Sequence, residues 1–251
     1  MRVKLLFNTP NPEKLVAAAA KLCYSSSNID DLLENLNDEK VNFFIEMLMS
    51  LGHESPLEHI NFTFAIEDVS RSLLTQLTRH RIASYSVQSQ RYVKIEKSEF
   101  VIPPAIKNNS EALTEFLNIM EKCKESYDKL TKILKSEYDK ENINDKKHEK
   151  ASIEDARYVL PNAWCTKIIC TFNARSLLNF FNHRCCNRAQ WEIRNLSVEM
   201  LKEVKKVAPN VFKNAGPVCV KGICSEGKMS CGKAKEMKNF FKNIDLSEMT
   251  D

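Results

Sequence analysis

Two alternating apolar stretches, each running directly into a helix that opens with the same four residues, constrain this chain more than anything in its composition. In 61–70 (NFTFAIEDVS), Phe62, Phe64 and Ile66 alternate with Asn61, Thr63 and Ala65, the period of a half-buried strand. Ser70 is placed to cap the helix that follows, read here over SRSLLTQLTRHR. A second strand, TKIICTFNA, leads into RSLLNFFNHRCC. Arg71-Ser72-Leu73-Leu74 thus runs on to Arg79-His80-Arg81, and Arg175-Ser176-Leu177-Leu178 to His183-Arg184. Arg-Ser-Leu-Leu is a good amphipathic helix opening, so coincidence is one reading. Two duplicated strand-to-helix units building a two-sided anion site is the sharper one.

The remaining pattern is mixed. Residues 3–9 read as a strand, and Pro12 opens a helix to about Cys23. A second helix spans 38–51, with Val41, Phe44, Ile45 and Leu48 on one face and Gly52 ending it. The segment after Ile82, SYSVQSQRYV, is polar and strand-like. Residues 109–150 are helix-forming and very polar, and the charge run KSEYDKENINDKKHEK reads as a solvated face. An amphipathic helix runs from about Ala189 to Val207, closed by Pro209. The 251 residues suffice for one good core. The expected organisation is a single catalytic domain over 1–215, carrying the polar helical insertion at about 109–150, then a Cys- and Lys-rich tail over 216–251. No apolar run approaches the roughly 20 residues of a membrane span, and the N-terminus lacks a signal-peptide pattern, so a cytoplasmic protein is expected.

The densest chemistry is RHRIASYSVQSQRY, residues 79–92: Arg79, His80 and Arg81, three serines, then Arg91 beside Tyr92. Guanidinium forks bind two phosphate oxygens at once, and serine hydroxyls can complete the shell. On a helix, Gln76 and His80 share a face with Arg79 nearby. The physics alone leaves a nucleotide site, an RNA patch and a solvated basic helix end all open. A net charge of +4 fits anionic ligands without choosing among them. With five glycines and neither G-x-G-x-x-G nor G-x-x-x-x-G-K-[ST], a Rossmann or P-loop site is not expected.

Arg79-His80-Arg81, then seven intervening residues, then Ser89 resembles the signature of the flavin-dependent thymidylate synthases. HESPLEHINFTF at 53–64, and DARYVLP…TFNARSLLNFFNHR…AQWEIR from Asp155 to Arg194, resemble two further blocks of that family in the same order. The resemblance covers roughly 1–210. It implies an α/β fold of the α+β type, with a twisted, mainly antiparallel sheet flanked by long helices. It implies a homotetramer with active sites between subunits, no nucleic acid partner and no membrane association. It also implies reductive methylation of dUMP to dTMP, with 5,10-methylenetetrahydrofolate as one-carbon donor and FAD, reduced by NADPH, as hydride carrier. By the same resemblance Gln76, Arg79, Ser89, Gln90, Arg91, Arg157 and Arg184 contact dUMP, with Arg184 as the catalytic activator of the pyrimidine. Ser55, Arg79, His80, Arg81, Asn173, Arg175 and Asn179 contact FAD. His53 helps to place folate or flavin, or else has an ordinary capping or packing role.

Two stretches depart from the pattern: Val87, where relatives are often acidic, and Cys185-Cys186-Asn187-Arg188. Nine cysteines in such a chain read as free thiols or metal ligands rather than a disulfide framework. No cysteine is assigned as nucleophile. Cys185 and Cys186 lie between Arg184 and Arg188, where exposure would lower their pKa values and burial would leave them inert. In the tail, Cys219, Cys224 and Cys231 are weak candidates for a structural metal, against reduced free thiols or a redox disulfide. The competing function is a basic single-strand nucleic-acid binder using Arg79, Arg81, Arg91, Tyr85 and Tyr92 as a stacking surface.

Overall fold

The computed structural model describes residues 1–26, 28–94, 99–139 and 145–244. Four strands form one sheet in the order β1-β2-β4-β3: β1 Arg2–Asn8, β2 Asn61–Ser70, β3 Ser84–Val87 and β4 Cys165–Asn173. The pairing is antiparallel where it is recorded. Thr63 and Thr171 face each other with hydroxyls 2.9 Å apart, and the Ala174 amide donates to the Ile60 carbonyl. Phe100 and Trp164 extend the pattern as an antiparallel bridge. The described residues separate into two compact units, and β2, β3 and β4 each run from one to the other.

The register of β2 changes part-way along. Near Thr63 its partner positions are those of Thr171, yet Arg71 donates to Trp164, one residue out of step with that pairing. Asp68 lies between with φ 58°, a left-handed backbone that short polar side chains tolerate. Burial shows the same slip: Phe62, Phe64 and Ile66 are buried in alternation, then Val69 and Ser70 rather than Asp68. One extra residue on one strand is a β-bulge.

One unit holds 66–76, 86–168 and the first two residues. Helices α4 (Arg71–Leu77, whose last residue falls in the other unit), α5 (Pro104–Lys107), α6 (Ser110–Asp139) and α7 (Asp145–Ala156) belong here. The 30-residue α6 carries polar residues on most of its surface but buries Met120, Tyr127 and Thr131. The polar stretch therefore has an inward stripe as well as a solvated face. Its charge run includes residues 140–144, which lie outside the described set.

The other unit holds 3–65, 77–85 and 169–244. Here α1 (Pro12–Leu22), α2 (Ile29–Glu34), α3 (Asp38–Leu51), α8 (Ala174–Arg184), α9 (Trp191–Val207) and α10 (Ala234–Lys242) surround an aromatic core. Phe62 meets Phe212 at 5.5 Å between ring centroids, Phe212 meets Phe181 at 6.0 Å, and all three are fully buried. Asn37 caps α3 by accepting from the Lys40 amide, and Gly52 closes it at φ 71°, which glycine adopts without a Cβ penalty. α9 opens at Gln190, whose side chain accepts from the Glu192 and Ile193 amides.

One expectation fails. The helix after β2 stops at Leu77, so Arg79, His80 and Arg81 are not helical and the shared face proposed for Gln76 and His80 does not exist. Tyr85 supplies the physical reason: its hydroxyl donates to the Leu77 carbonyl at 3.0 Å or the His80 carbonyl at 2.8 Å. The His80 amide also donates to the Leu77 carbonyl at 3.1 Å, which leaves the Tyr85 hydroxyl for His80, and the two carbonyls are satisfied outside a helix. The strand-like reading of SYSVQSQRYV likewise holds only for 84–87, and Ser89 to Tyr92 form a turn.

Candidate active site

The end of β4 and the start of α8 build the main site. Asn173 is the last residue of the strand and the N-cap of the helix, its side chain accepting from the Ser176 amide at 2.8 Å. A cavity of about 690 Å³ opens at this junction, inside the roughly 300–1,000 Å³ range of small-molecule sites. Arg79, His80, Arg81, Asn173, Arg175 and Asn179 all line it, so six of the seven residues expected to hold a flavin share one cavity. Ser55 does not line it; it begins the 3-10 turn Ser55–His59. His53, just past the Gly52 cap, is exposed and also outside the lining.

The charges in this cavity are only partly neutralised. Arg175 is engaged: its Nε donates to Glu54 at 3.3 Å and its Nη1 to Glu58 at 2.5 Å. Sequence reasoning missed these two carboxylates. Both lie in HESPLEH four residues apart, and no local pattern pairs them with Arg175, which is 117 positions beyond Glu58. Arg79 and Arg81 are exposed and have no carboxylate partner among the described residues.

His80 and Arg184 form the second feature. Arg184 Nε donates to His80 Nε2 at 3.0 Å, which requires a neutral imidazole with its proton on Nδ1. The His80 ring packs edge-on to Phe180 at 4.9 Å. Burial, then the nearby Arg184 and His183 charges, pull its pKa down to about 4, so the imidazole is neutral at pH 7. The Arg184 guanidinium is lowered from its ordinary value by burial and then by Arg79. Two guanidinium groups that repel each other in a part-buried setting favour an anion or an electron-rich ring between them. Arg184 faces a smaller cavity of about 390 Å³, which shares His80 and Asn182 with the larger one.

The other residues expected at dUMP belong to the other unit. Ser89 and Gln90 line a cavity of about 540 Å³ with Lys94, Trp164 and Lys167, none of which sequence reasoning had singled out. Ser89 Oγ accepts from the Arg91 amide at 3.1 Å. The Arg91 guanidinium donates from Nη2 to Glu154 at 3.0 Å, and its Nε approaches the same carboxylate to 2.7 Å without hydrogen-bond geometry. The Glu154 carboxyl is held below its usual range by that hydrogen bond. Gln76, Arg91 and Arg157 line none of these three cavities; Arg157 sits in the 3-10 turn Arg157–Val159, and burial, then the Arg157 charge, lowers the Arg71 guanidinium.

The cysteines are placed clearly. Cys185 is fully buried, accepts from Ser197 Oγ at 3.3 Å, and burial pushes its thiol up to about 12, which makes it inert. Tyr85 lies half-buried against Phe172 with its hydroxyl turned to backbone carbonyls, so it is not available as a stacking surface for bases. No described helix is long and apolar enough to cross a membrane.

Fold and cavities together define a class: an α+β protein that presents arginines around a cavity at a strand-to-helix junction, without a glycine-rich loop. The family model described as "Thymidylate synthase complementing protein" matches residues 4–210, and the chain belongs to this family, the flavin-dependent thymidylate synthases. A flavin-dependent thymidylate synthase of Clostridium tetani is 60% identical over 241 residues, covering 96% of this chain and 97% of the relative. One from Geobacter sulfurreducens is 48% identical, covering 98% of this chain and all of the relative. Among solved structures, the flavin-dependent thymidylate synthase of Helicobacter pylori in complex with FAD and dUMP has a TM-score of 0.62 at 26% identity, covering 86% of this chain and all of that one. A UMP/dUMP methylase of Streptomyces cacaoi, at 21% identity and a TM-score of 0.67 over 84% of this chain and 92% of that one, shares the fold. The nucleic-acid reading is not favoured.

Proposed function

We infer that this chain is an FAD-dependent enzyme that methylates dUMP to dTMP, using 5,10-methylenetetrahydrofolate and NADPH as co-substrates. The observation that carries the assignment to particular residues is the cavity at the β4–α8 junction, where Arg79 and Arg81 present guanidinium groups with no carboxylate partner among the described residues, beside the amides of Asn173 and Asn179. Such a donor set fits a flavin nucleotide, whose diphosphate needs cations and whose ring and ribose need polar partners. When bound, FAD supplies the hydride. His80 and Arg175 complete the lining set, and Ser55, outside that lining, is the remaining flavin contact of this reading.

The protein's own residues bind, orient and polarise. Ser89, Gln90 and Arg91 receive the nucleotide, with Arg91 pre-oriented by Glu154. Gln76 and Arg157 add polar contacts. Arg184, held at Nε by neutral His80, keeps its terminal nitrogens free to meet the pyrimidine at N3 and O2. A fixed cation there stabilises the deprotonated, electron-richer ring without rearrangement during the reaction. His53 helps to place folate or flavin.

The active unit is a cytoplasmic homotetramer with sites assembled between subunits. In support, several large apolar side chains lie outside, including Tyr158 at 82% and Ile82 at 75% exposure, the kind of surface that copies of a chain bury against each other. The test is the visible spectrum of the purified protein with FAD, before and after adding dUMP. Oxidised-flavin bands that survive desalting and shift with dUMP are expected. A protein that takes up no FAD and does not respond to dUMP refutes the assignment.

A further inference from the structure

The tail beyond residue 210, where the family match ends, is not used by the chemistry above. Its first part is packed in place. A Cβ at Gly216 would stand 3.0 Å from the Phe241 ring, and Cys219, Met237 and Phe241 are all buried. The stretch 221–233 has no such footing. Every residue in it except Cys224 is exposed, Ile223 to 92%. Its cysteines do not pin it either: they are free thiols, and among the described residues no three His, Cys, Asp or Glu side chains are grouped to hold a metal ion. Among the described residues, the hydrogen bonds that reach 221–233 from before residue 216 all come from Arg188. Its Nη1 donates to Glu226 at 3.1 Å and to the Met229 carbonyl at 2.6 Å. One ionised donor shared by two acceptors thus does for this stretch what apolar burial does for its neighbours.

That tie bears on the site, because Arg188 lies four residues beyond Arg184, on the turn that follows α8. The cavity of about 390 Å³ that Arg184 faces has one side from His80 and 182–189. Its other side comes from the tail, at Pro217 to Cys219 and Cys224 to Glu226. All of these residues belong to the same unit. Glu226 is at once part of that wall and the carboxylate held by Arg188.

We propose that Arg188 is a positioning residue for the nucleotide: through Glu226 and the Met229 carbonyl it holds the tail as a wall of the Arg184 cavity, so that the tail closes over the pyrimidine side of bound dUMP. This rests on the assignment of Arg184 to the pyrimidine given above. Arg188 itself touches no reacting atom. A wall meets the nucleotide equally in the ground state and the transition state, so its loss raises KM for dUMP and leaves kcat nearly unchanged. A part-exposed ion pair adds little to global stability, so the core should fold without it.

The test uses the full chain with FAD bound and reads steady-state kinetics in dUMP beside trypsin cleavage at the exposed Lys221, Lys228 and Lys233. In Arg188→Ala, tail cleavage should be faster and KM for dUMP several-fold higher, with kcat and FAD affinity unchanged. Adding dUMP should slow tail cleavage in the unmodified chain and do so much less in the variant. Arg188→Lys, which keeps a cationic donor, should recover part of both effects. Ile223→Ser, on the outer surface of the same stretch, should change neither. Glu226→Gln weakens the tie from the tail side and should move KM in the same direction, which decides the matter should Arg188→Ala fail to fold. An unchanged KM in a folded Arg188→Ala, tail cleavage that responds neither to the substitution nor to dUMP, or a loss shared by kcat and FAD affinity would overturn the proposal. An unmodified chain that binds FAD but does not respond to dUMP overturns instead the reading of Arg184 beneath it.

Discussion

Replacing His80 with phenylalanine isolates the hydrogen bond that orients Arg184. A phenyl ring keeps the edge-on packing against Phe180 but cannot accept from Arg184 Nε. A hydrogen bond to a charged group contributes about 1.5–3 kcal/mol. His80 is only half-buried and water can replace part of the interaction, so the lower end applies, about 1.5 kcal/mol. If Arg184 acts on the pyrimidine only once it is aimed, this appears as a loss of roughly tenfold in kcat/KM for dUMP. The assay is dTMP formation at saturating FAD, with FAD affinity measured separately by absorbance, because His80 also lines the flavin cavity. His80→Asn, which retains an acceptor, should recover part of the loss. An unchanged kcat/KM in a folded His80→Phe, or a loss confined to FAD affinity, refutes the orienting role.

The same imidazole gives a pH prediction. Its folded pKa of about 4 lies below the ordinary 6.5, so its contribution to stability is complete above about pH 6.5 and is lost as pH falls through about 4; histidine NMR that shows His80 titrating near 6.5 contradicts this. Arg184→Ala should abolish dTMP formation while leaving FAD binding mostly intact, read by turnover and by flavin absorbance on the same preparation. Ser89→Ala should weaken dUMP several-fold with little change in the flavin spectrum, measured by equilibrium titration. Asn173→Ala removes the α8 cap and should lower stability by about 1 kcal/mol in denaturant unfolding, with a separate loss of FAD affinity. Phe212→Ala, which empties the contact between Phe62 and Phe181, should lower stability by about 3–5 kcal/mol in the same measurement.

How much of this was legible depended on whether the deciding interaction was local. Strand alternation at Phe62, Phe64 and Ile66, the Gly52 stop and the Asn173 junction are short-range signals, and each element lies where its pattern placed it. The early end of α4 was not legible, because the group that satisfies the His80 carbonyl is the Tyr85 hydroxyl, on the far side of a turn that carries no Gly or Pro. The bulge at Asp68 was hidden for a similar reason: an aspartate in a strand reads as an outward polar residue, and only the positive φ distinguishes it. In the site, the cationic residues announced themselves as a cluster. Their carboxylate partners did not, since Glu54, Glu58 and Glu154 are brought to Arg175 and Arg91 only by the tertiary fold.

The Asp68 bulge also sets a rule for how this gene can change length. Side chains on a strand alternate faces, so a one-residue insertion or deletion inverts everything beyond it. β2 already contains one such step, which returns Val69 and Ser70 to the buried side and lets the Ser70 hydroxyl receive the Leu73 amide at 3.0 Å. Removing a codon between Phe62 and Ile66 would therefore turn part of the buried face outward, whereas removing Asp68 itself would leave Val69 next but one after Ile66, on the same face, as in an unbulged strand. Substitution at Asp68 is the milder change: asparagine or glycine keeps the left-handed backbone accessible, whereas a β-branched residue does not. Descendants of this chain should thus vary at position 68 mostly among Asp, Asn and Gly, and keep the spacing of Phe62, Phe64 and Ile66 constant.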